Sequence, residues 1–188
     1  MDRANIEAGE LRQRIIIQAK SVASAADTRG HPVRTWTDSI VDVSCKIETP
    51  SGRKLELARQ LVPTASHTVT MRFRVIDEEN YRLALFGLAT TALSAGINSS
   101  VTAISVATAI AIPVGAVILI GTEKMLVTAV SGTTLAVTRG YESTTAATQA
   151  SGATVRKRRL FNIGHVEDVE ELHVRMILTC TEMKGSAA

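Results

Sequence analysis

The sequence predicts a mainly β fold: a small antiparallel β-barrel or sandwich with one short helix, interrupted by an inserted β-rich module. Several segments alternate apolar and polar residues, which is typical of antiparallel strands that bury one face. In addition, residues 84–154 hold only four charged side chains, whereas the whole chain has 21 basic and 18 acidic residues. Because exposed loop tips tolerate insertions, we expect a discontinuous core domain of residues 1–83 plus 155–188, with an inserted β module of residues 84–154.

The core domain begins with two predicted strands. Leu11–Ala19 is rich in isoleucine and indicates the first strand. Ser21–Pro32 contains Asp, Gly and Pro, which form turns, so we expect a loop there. In the next strand alternate residues are apolar and would share one buried face. These residues are Val41, Val43, Cys45 and Ile47.

A longer connection follows the second strand. Thr49–Ser66 contains the stretch Lys54–Leu61, which has helix-forming residues and stops before Pro63. His67–Val75 then alternates apolar and polar residues, and another strand begins at Tyr81 after an acidic turn. The core domain therefore has strands on both sides of one short helix.

The insert and the end of the chain add further predicted strands. Within the insert, Val117–Ile120, Lys124–Val130 and Thr134–Thr138 are apolar runs separated by glycine-containing turns, as in hairpins. After the insert, Val155–Ile163 resumes the strand pattern. The last strand places alternate apolar residues on one face: Val174, Met176, Leu178 and Cys180.

One charge-free run has the length of a membrane-spanning helix. This run is Val101–Ile120. However, Pro113, Gly115 and many β-branched residues within it favour strands over a long helix. We therefore expect no membrane among the partners of this chain.

The charge and the aromatic content do not argue for nucleic-acid recognition. The net charge of +3 permits contact with phosphates, but binders usually cluster their basic residues on one face. Aromatic residues make up 3% of the chain, so stacking of bases on aromatic side chains is not expected. The densest basic run is Arg156–Arg159, and in a strand at most two of its four side chains share a surface. We interpret it as an exposed strand next to the insert, and the alternatives are contact with an acidic protein partner or with DNA.

The sequence contains no recognisable catalytic, cofactor or metal site, so we expect neither an enzyme nor a cofactor. Gly121–Lys124 lacks the upstream glycine of a phosphate-binding loop. His165 and His173 flank an acidic run, but their spacing matches no known metal-ligand pattern. Cys45 and Cys180 fall on the apolar phase of predicted strands, which indicates two buried thiols and no disulfide.

Joined across the insert, the two flanks carry an ordered series of short motifs. In the order of the chain they include Ala8-Gly9-Glu10-Leu11-Arg12, Thr35-Trp36, His67-x-Val69-x-Met71-Arg72-Phe73-Arg74, Arg159-x-Phe161-Asn162-Ile163 and Val166-x-Asp168-Val169-x-Glu171. The series resembles the head–tail joining proteins of long-tailed bacteriophages, which are also called head-closure or stopper proteins. The insert is a departure from the family's pattern.

The resemblance implies a structural protein of the virion, made in the host cytoplasm. Such a protein would form a homo-oligomeric ring in the neck between the portal or adaptor and the tail. It would close the DNA-filled head and provide the tail docking surface, so its partners would be portal or adaptor rings, tail proteins and packaged double-stranded DNA. The alternatives are a tail-completion or terminator ring and a nucleic-acid-binding β-barrel.

A ring that retains DNA needs a segment that reaches its channel, and a loop is suited to this because it can move. The segment Thr49–Ser66 carries Arg53, Lys54 and Arg59, which we expect to face the channel and the DNA phosphates. The alternative is a surface excursion whose short helix packs on a neighbouring subunit. Ser21–Pro32 is the competing channel segment.

Overall fold

The computed structural model describes residues 8–26, 32–87 and 89–183, which form two compact units. The first unit consists of the residues up to Leu85 together with Leu160–Met183. The second unit is Phe86–Arg159. Each unit has a hydrophobic core of its own.

The described residues form eleven strands, one α-helix and three short 3-10 turns. In chain order the strands are β1 Gln13–Ala26, β2 Pro32–Glu48, β3 His67–Arg72, β4 Tyr81–Phe86, β5 Thr91–Ala92, β6 Ala103–Ser105, β7 Val117–Ile120, β8 Glu123–Ser131, β9 Thr134–Thr138, β10 Thr154–Asp168 and β11 Arg175–Met183. The helix, α1, is Arg53–Leu61, and the 3-10 turns are Ala8–Glu10, Tyr141–Ser143 and Val169–Glu171. The prediction of a mainly antiparallel β fold with one short helix is confirmed.

The strands of the first unit follow a ring-like order. The sequence of neighbours is β4, β1, β2, β3, β11 and β10, and β10 is again a neighbour of β4. Alternate side chains of these strands point to one shared core, because side chains in a strand alternate between two faces. The largest fully buried members of this core are Ile15, Ile17, Met71, Leu83, Phe161 and Met176.

A bulge in β2 changes the face on which one predicted core residue lies. Ile15 pairs with Val43 but Ile17 pairs with Ile40, so β2 contains one extra residue at this point. Asp42 adopts a φ of 60° there, and the Arg14 guanidinium donates hydrogen bonds to its backbone oxygen and its carboxylate. As a result Val43 is buried as expected, while Val41 is 63% exposed. The prediction that Val41 shares the buried face is wrong, because a bulge shifts the alternation by one residue.

The hairpin of β1 and β2 is longer than the sequence suggested. β1 continues to Ala26, which pairs with Pro32, so the strand replaces much of the loop expected over Ser21–Pro32. Residues 27–31 lie outside the described part of the chain. Because the pairing of β1 with β4 ends at Ala19, the far part of the hairpin is a two-stranded ribbon. Such ribbons are only marginally stable without further support.

The second unit also has a ring-like strand order. Its neighbours are β5, the first part of β10, β7, β8, β9 and β6. A bridge between Leu93 and Val106, with a hydrogen bond from Ala107 N–H to the Ala92 oxygen, joins the segment of β5 to that of β6. The three strands predicted in the insert are confirmed as β7, β8 and β9. No helix within the described residues is long and apolar enough to cross a membrane.

Candidate interaction surfaces

Helix α1 lies on the surface of the first unit. It begins after Gly52, whose φ of 55° suits glycine, and the Gly52 carbonyl accepts hydrogen bonds from the first turn. Leu55 and Ala58 are half-buried, whereas Leu57 and Leu61 are 51% and 59% exposed. Since Leu57 and Leu61 are four residues apart, they lie side by side on one face of the helix.

The three basic residues expected to face DNA are all exposed, but they do not share one side of α1. Each residue turns the helix by about 100°. Arg53 and Lys54 therefore lie about 40° and about 60° from Leu57, on either side of it. Arg59 lies about 160° from Leu57, on the other flank of the helix. The structure thus groups Arg53 and Lys54 with the exposed leucines and separates Arg59 from them.

A second exposed apolar group lies where β3 ends and β11 begins. Val75 is 88% exposed, and Leu172 and Val174 are 55% and 48% exposed. The two segments are in contact, because Phe73 N–H donates to the Val174 oxygen at 3.1 Å and the Phe73 ring lies 4.5 Å from the His173 ring. The sequence did not identify this group because Val75 and Val174 both continue the apolar phase of a strand.

Carboxylates are frequent in the two segments that carry this second group. The segments run from Arg72 to Asn80 and from Glu167 to Arg175, and their carboxylates are Asp77, Glu78, Glu79, Glu167, Asp168, Glu170 and Glu171. Glu78 links the two segments, since its carboxylate accepts a hydrogen bond from Val166 N–H at 2.9 Å. Arg72, Arg74 and Arg175 are the basic residues of the same segments, so seven carboxylates and three arginines leave a net charge of −4 with histidine neutral.

The acidic segments are also locally constrained. Hydrogen bonds from the backbone and the side chain of Asn80 lower the pKa of Asp77; desolvation opposes this shift, and a hydrogen bond from Glu79 N–H adds to it. Glu170, Glu171 and His173 have φ values of 60°, 53° and 54°, a left-handed conformation that side chains rarely adopt.

The histidines beside the acidic run use separate carboxylates. His165 Nδ1 lies 3.6 Å from Glu78, whereas His173 Nδ1 lies close to Asp168. Among the residues that the structure describes, no group of three or more His, Cys, Asp or Glu side chains is arranged to hold a metal ion.

The first ion pair of the second unit is almost fully buried. Glu123 and Arg139 make a two-pronged contact, with nitrogen–oxygen distances of 2.7 and 2.8 Å. The remaining Arg139 donors reach the backbone oxygens of Asn98, Val101 and Ala147. Desolvation alone would raise the pKa of Glu123, but the hydrogen bonds and charge of Arg139, with two backbone N–H donors, hold it below the ordinary value.

The second ion cluster involves the basic run. Lys124 Nζ lies 2.9 Å from one carboxylate oxygen of Glu142, and Arg158 contacts the other. Arg158 is buried while Arg156 is exposed, so the expectation of an exposed strand is wrong for Arg158. The sequence of the basic run alone does not reveal that Arg158 pairs with Glu142, which is distant in the chain. All four charged side chains of residues 84–154 are therefore used in internal ion pairs.

The two cysteines of the first unit lie in its interior. Cys45 and Cys180 are free and buried, as expected, and burial raises the pKa of each thiol to about 12, with a smaller mutual effect at Cys180. They are therefore protonated and unreactive near neutral pH.

A polar row that the sequence did not reveal crosses β4, β1 and β2, and it is buried at Arg82 and Gln18 but exposed at Asp38. Arg82 donates to Gln18 at 2.8 Å, and Gln18 donates to Asp38 at 2.7 Å. The Arg82 guanidinium also lies 4.5 Å from the Trp36 ring. Trp36 and Asp38 lie in β2 where the two-stranded ribbon joins the rest of the sheet. The contacts of this row therefore hold the base of the ribbon.

Comparison with known families supports the resemblance seen in the sequence. Residues 6–87 match the family model of the phage head completion protein, which confirms the head-closure resemblance. The matched segment ends close to Leu85, where the first unit gives way to the second. No curated protein matches the chain.

Proposed function

We propose, on the premise that residues 6–87 belong to the phage head completion protein family, that this chain forms a ring in the neck of the virion. The family match supports a structural role in the phage head, and it is the observation that carries the proposal. The ring would lie between the portal or adaptor and the tail. There it would close the DNA-filled head and provide the docking surface for the tail.

The chemistry of the two units suits a structural part. The thiols of the first unit are buried and protonated, and the charged side chains of residues 84–154 are neutralised within the second unit. Both units have ring-like strand orders, so most strands pair on both sides and leave few backbone groups for addition of a foreign strand. Contacts with other proteins would then be made through exposed side chains, such as those of α1 and of the acidic segments.

Contact with packaged DNA is part of the proposal. Arg59 is the basic residue of α1 that points away from the exposed leucines, so it can face the channel while the leucines contact protein. Replacing Arg59 by Ser is expected to leave the ring in place and to increase loss of DNA from tailless heads, because one phosphate contact per subunit is removed. Measuring DNA retained per head tests this, with Arg156→Ser in the second unit as the matched control for removal of an exposed arginine. Equal retention in the two variants would contradict the role of Arg59.

Particles that lack this chain test the function as a whole. We expect full-sized heads that package DNA, lose it over time and carry no tails, as seen by electron microscopy and by assay of released DNA. Tails of abnormal length on otherwise stable heads would instead indicate a tail terminator and would contradict head closure.

A further inference from the structure

We propose that α1 of one subunit binds the acidic apolar end of the next subunit, and that this contact builds the ring. Two surfaces are involved. The helix face consists of Arg53, Lys54, Leu57 and Leu61. The end patch consists of Val75, Glu170, Glu171, Leu172 and Val174. The inference rests on the proposed ring, and it identifies the occupant of both surfaces as a second copy of this chain.

Both surfaces expose large apolar side chains that the first unit itself does not cover. Leu57 and Leu61 are adjacent on the outer face of α1, and each is more than half exposed. In the end patch, Val75 is almost fully exposed and lies beside Val174 through the contact of their neighbouring residues. Burial of such side chains on association gains about 25 cal/mol for each Å² of apolar area.

The surfaces lie at opposite ends of one strand pair. Both connections of α1 leave from the end of β3 at which His67 pairs with Cys180: Glu48 pairs with Thr68, and Ser66 N–H donates to the Cys180 oxygen. The end patch lies beyond the other end, where Arg72 pairs with Arg175. Five residue steps of a strand separate these ends, a distance of about 17 Å.

Two different surfaces at opposite ends of a unit give a head-to-tail contact. In such a contact each subunit uses its helix face on one neighbour and its end patch on the other, and a closed rotation produces a ring. A contact of the helix face with itself would instead produce a two-fold dimer.

The charges of the two surfaces are complementary. The helix face carries two basic residues, Arg53 and Lys54, which gives +2. The segments of the end patch have a net charge of −4. Arg53 and Lys54 flank Leu57, and Glu170 and Glu171 directly precede Leu172, so on each surface the charges border the apolar side chains. Complementary charges favour encounter in the correct register and disfavour contact between like surfaces.

Cross-linking in phage particles tests the contact. The chain carries L57C together with L172C, and purified particles are treated with a short bis-maleimide, which tolerates more distance than a disulfide. The native thiols are buried and protonated, so only the introduced cysteines should react. We expect a ladder of products larger than a dimer from the double variant, and monomer from each single variant.

Each other result has a distinct meaning. Dimers from L57C alone, monomers from the double variant in particles that contain the chain, or cross-links to a different protein would overturn the inference and leave the proposed function standing. Absence of the wild-type chain from particles would overturn the proposed function and the inference with it.

Charge reversal provides an independent measurement in case the cysteines disturb folding. R53E/K54E is expected to reduce the number of copies of the chain per particle about tenfold. The expected loss is no larger because exposed ion pairs are individually weak. Addition of E170K/E171K should restore the wild-type number. R156E is the control for charge reversal of an exposed arginine, because Arg156 belongs to neither surface. A loss equal to that of R53E/K54E in the R156E control, or no restoration by the second pair, would overturn the proposal.

Discussion

At the scale of single residues, the second unit depends on one buried ion pair. Glu123 and Arg139 are both almost fully buried, and every described polar atom of the pair has a partner. Removing one partner of a buried pair costs about 3–5 kcal/mol because the other charge stays buried. Together with the pair of Lys124 and Glu142, this pair accounts for all four charged side chains of residues 84–154.

Replacement of Glu123 by Gln is therefore expected to destabilise the second unit by several kcal/mol, on the order of the cost of a broken buried pair. Hydrogen exchange of the amides of β8 and β9 measures it. The matched control is Glu79→Gln in the first unit, which is exposed and should change stability by less than about 0.5 kcal/mol. Equal protection in both variants would contradict the importance of the pair.

The same pair predicts a dependence on acid. The pKa of Glu123 is lower in the folded chain than its ordinary value of 4.5. Its contribution to stability is thus present above the unfolded pKa and is lost as the pH falls through the folded pKa. In Glu123→Gln this part of the acid dependence should be absent.

At the scale of elements, the position of α1 depends on a close approach of two residues. Val62, which follows the helix, lies over Gly164 of β10, and a Cβ at Gly164 would lie 2.7 and 2.8 Å from the two methyl carbons of Val62. Val62 is branched at Cβ and cannot swing aside easily. The glycine therefore allows the end of the helix to rest on the sheet.

Gly164→Ala is expected to destabilise the first unit by about 1–3 kcal/mol, the usual cost of overpacking. Val62→Ala in the same chain should recover most of that loss, because it removes the clashing methyl groups. Chemical denaturation of the wild type, the two single variants and the double variant measures the coupling. Additive losses in the double variant would show that the two residues do not constrain each other.

Elements also show how far the sequence predicts the structure. Alternation located β3 and β11 because one buried face per strand leaves a clear signal. Apolar runs between glycine-containing turns located β7 and β9. Alternation failed at Val41, since the bulge at Asp42 is set by Arg14 on another strand. It also failed over residues 21–26, where pairing with β2 decides the conformation of a weakly patterned segment. Similarly, the sequence did not show that Arg53, Lys54 and Arg59 point in different directions from the axis of α1. Their directions could be assigned only from the observed bounds of the helix.

The candidate surfaces were only partly predictable for a related reason. The basic residues of α1 were found from the sequence, but Leu57 and Leu61 were not distinguished from core leucines. An apolar residue in a short amphipathic helix is usually buried, and only the structure shows which side faces the protein. The partners of Glu123 and Arg158 come from distant positions, so strand register determines them.

At the scale of the whole molecule, two units with separate cores share one chain. The first unit carries the family match and both proposed subunit contacts. The surface of the second unit differs in kind, since the charged side chains of residues 84–154 are paired inside and Ile110 is 99% exposed. We therefore expect the first unit to hold the ring together.

The most direct test of this account is a high-resolution image of the neck of the mature virion. The account predicts one rotationally symmetric ring of this chain between the portal or adaptor and the tail, with α1 of each subunit against Val75, Leu172 and Val174 of the next. A chain dispersed over the capsid shell, located at the distal end of the tail or absent from the virion would contradict it.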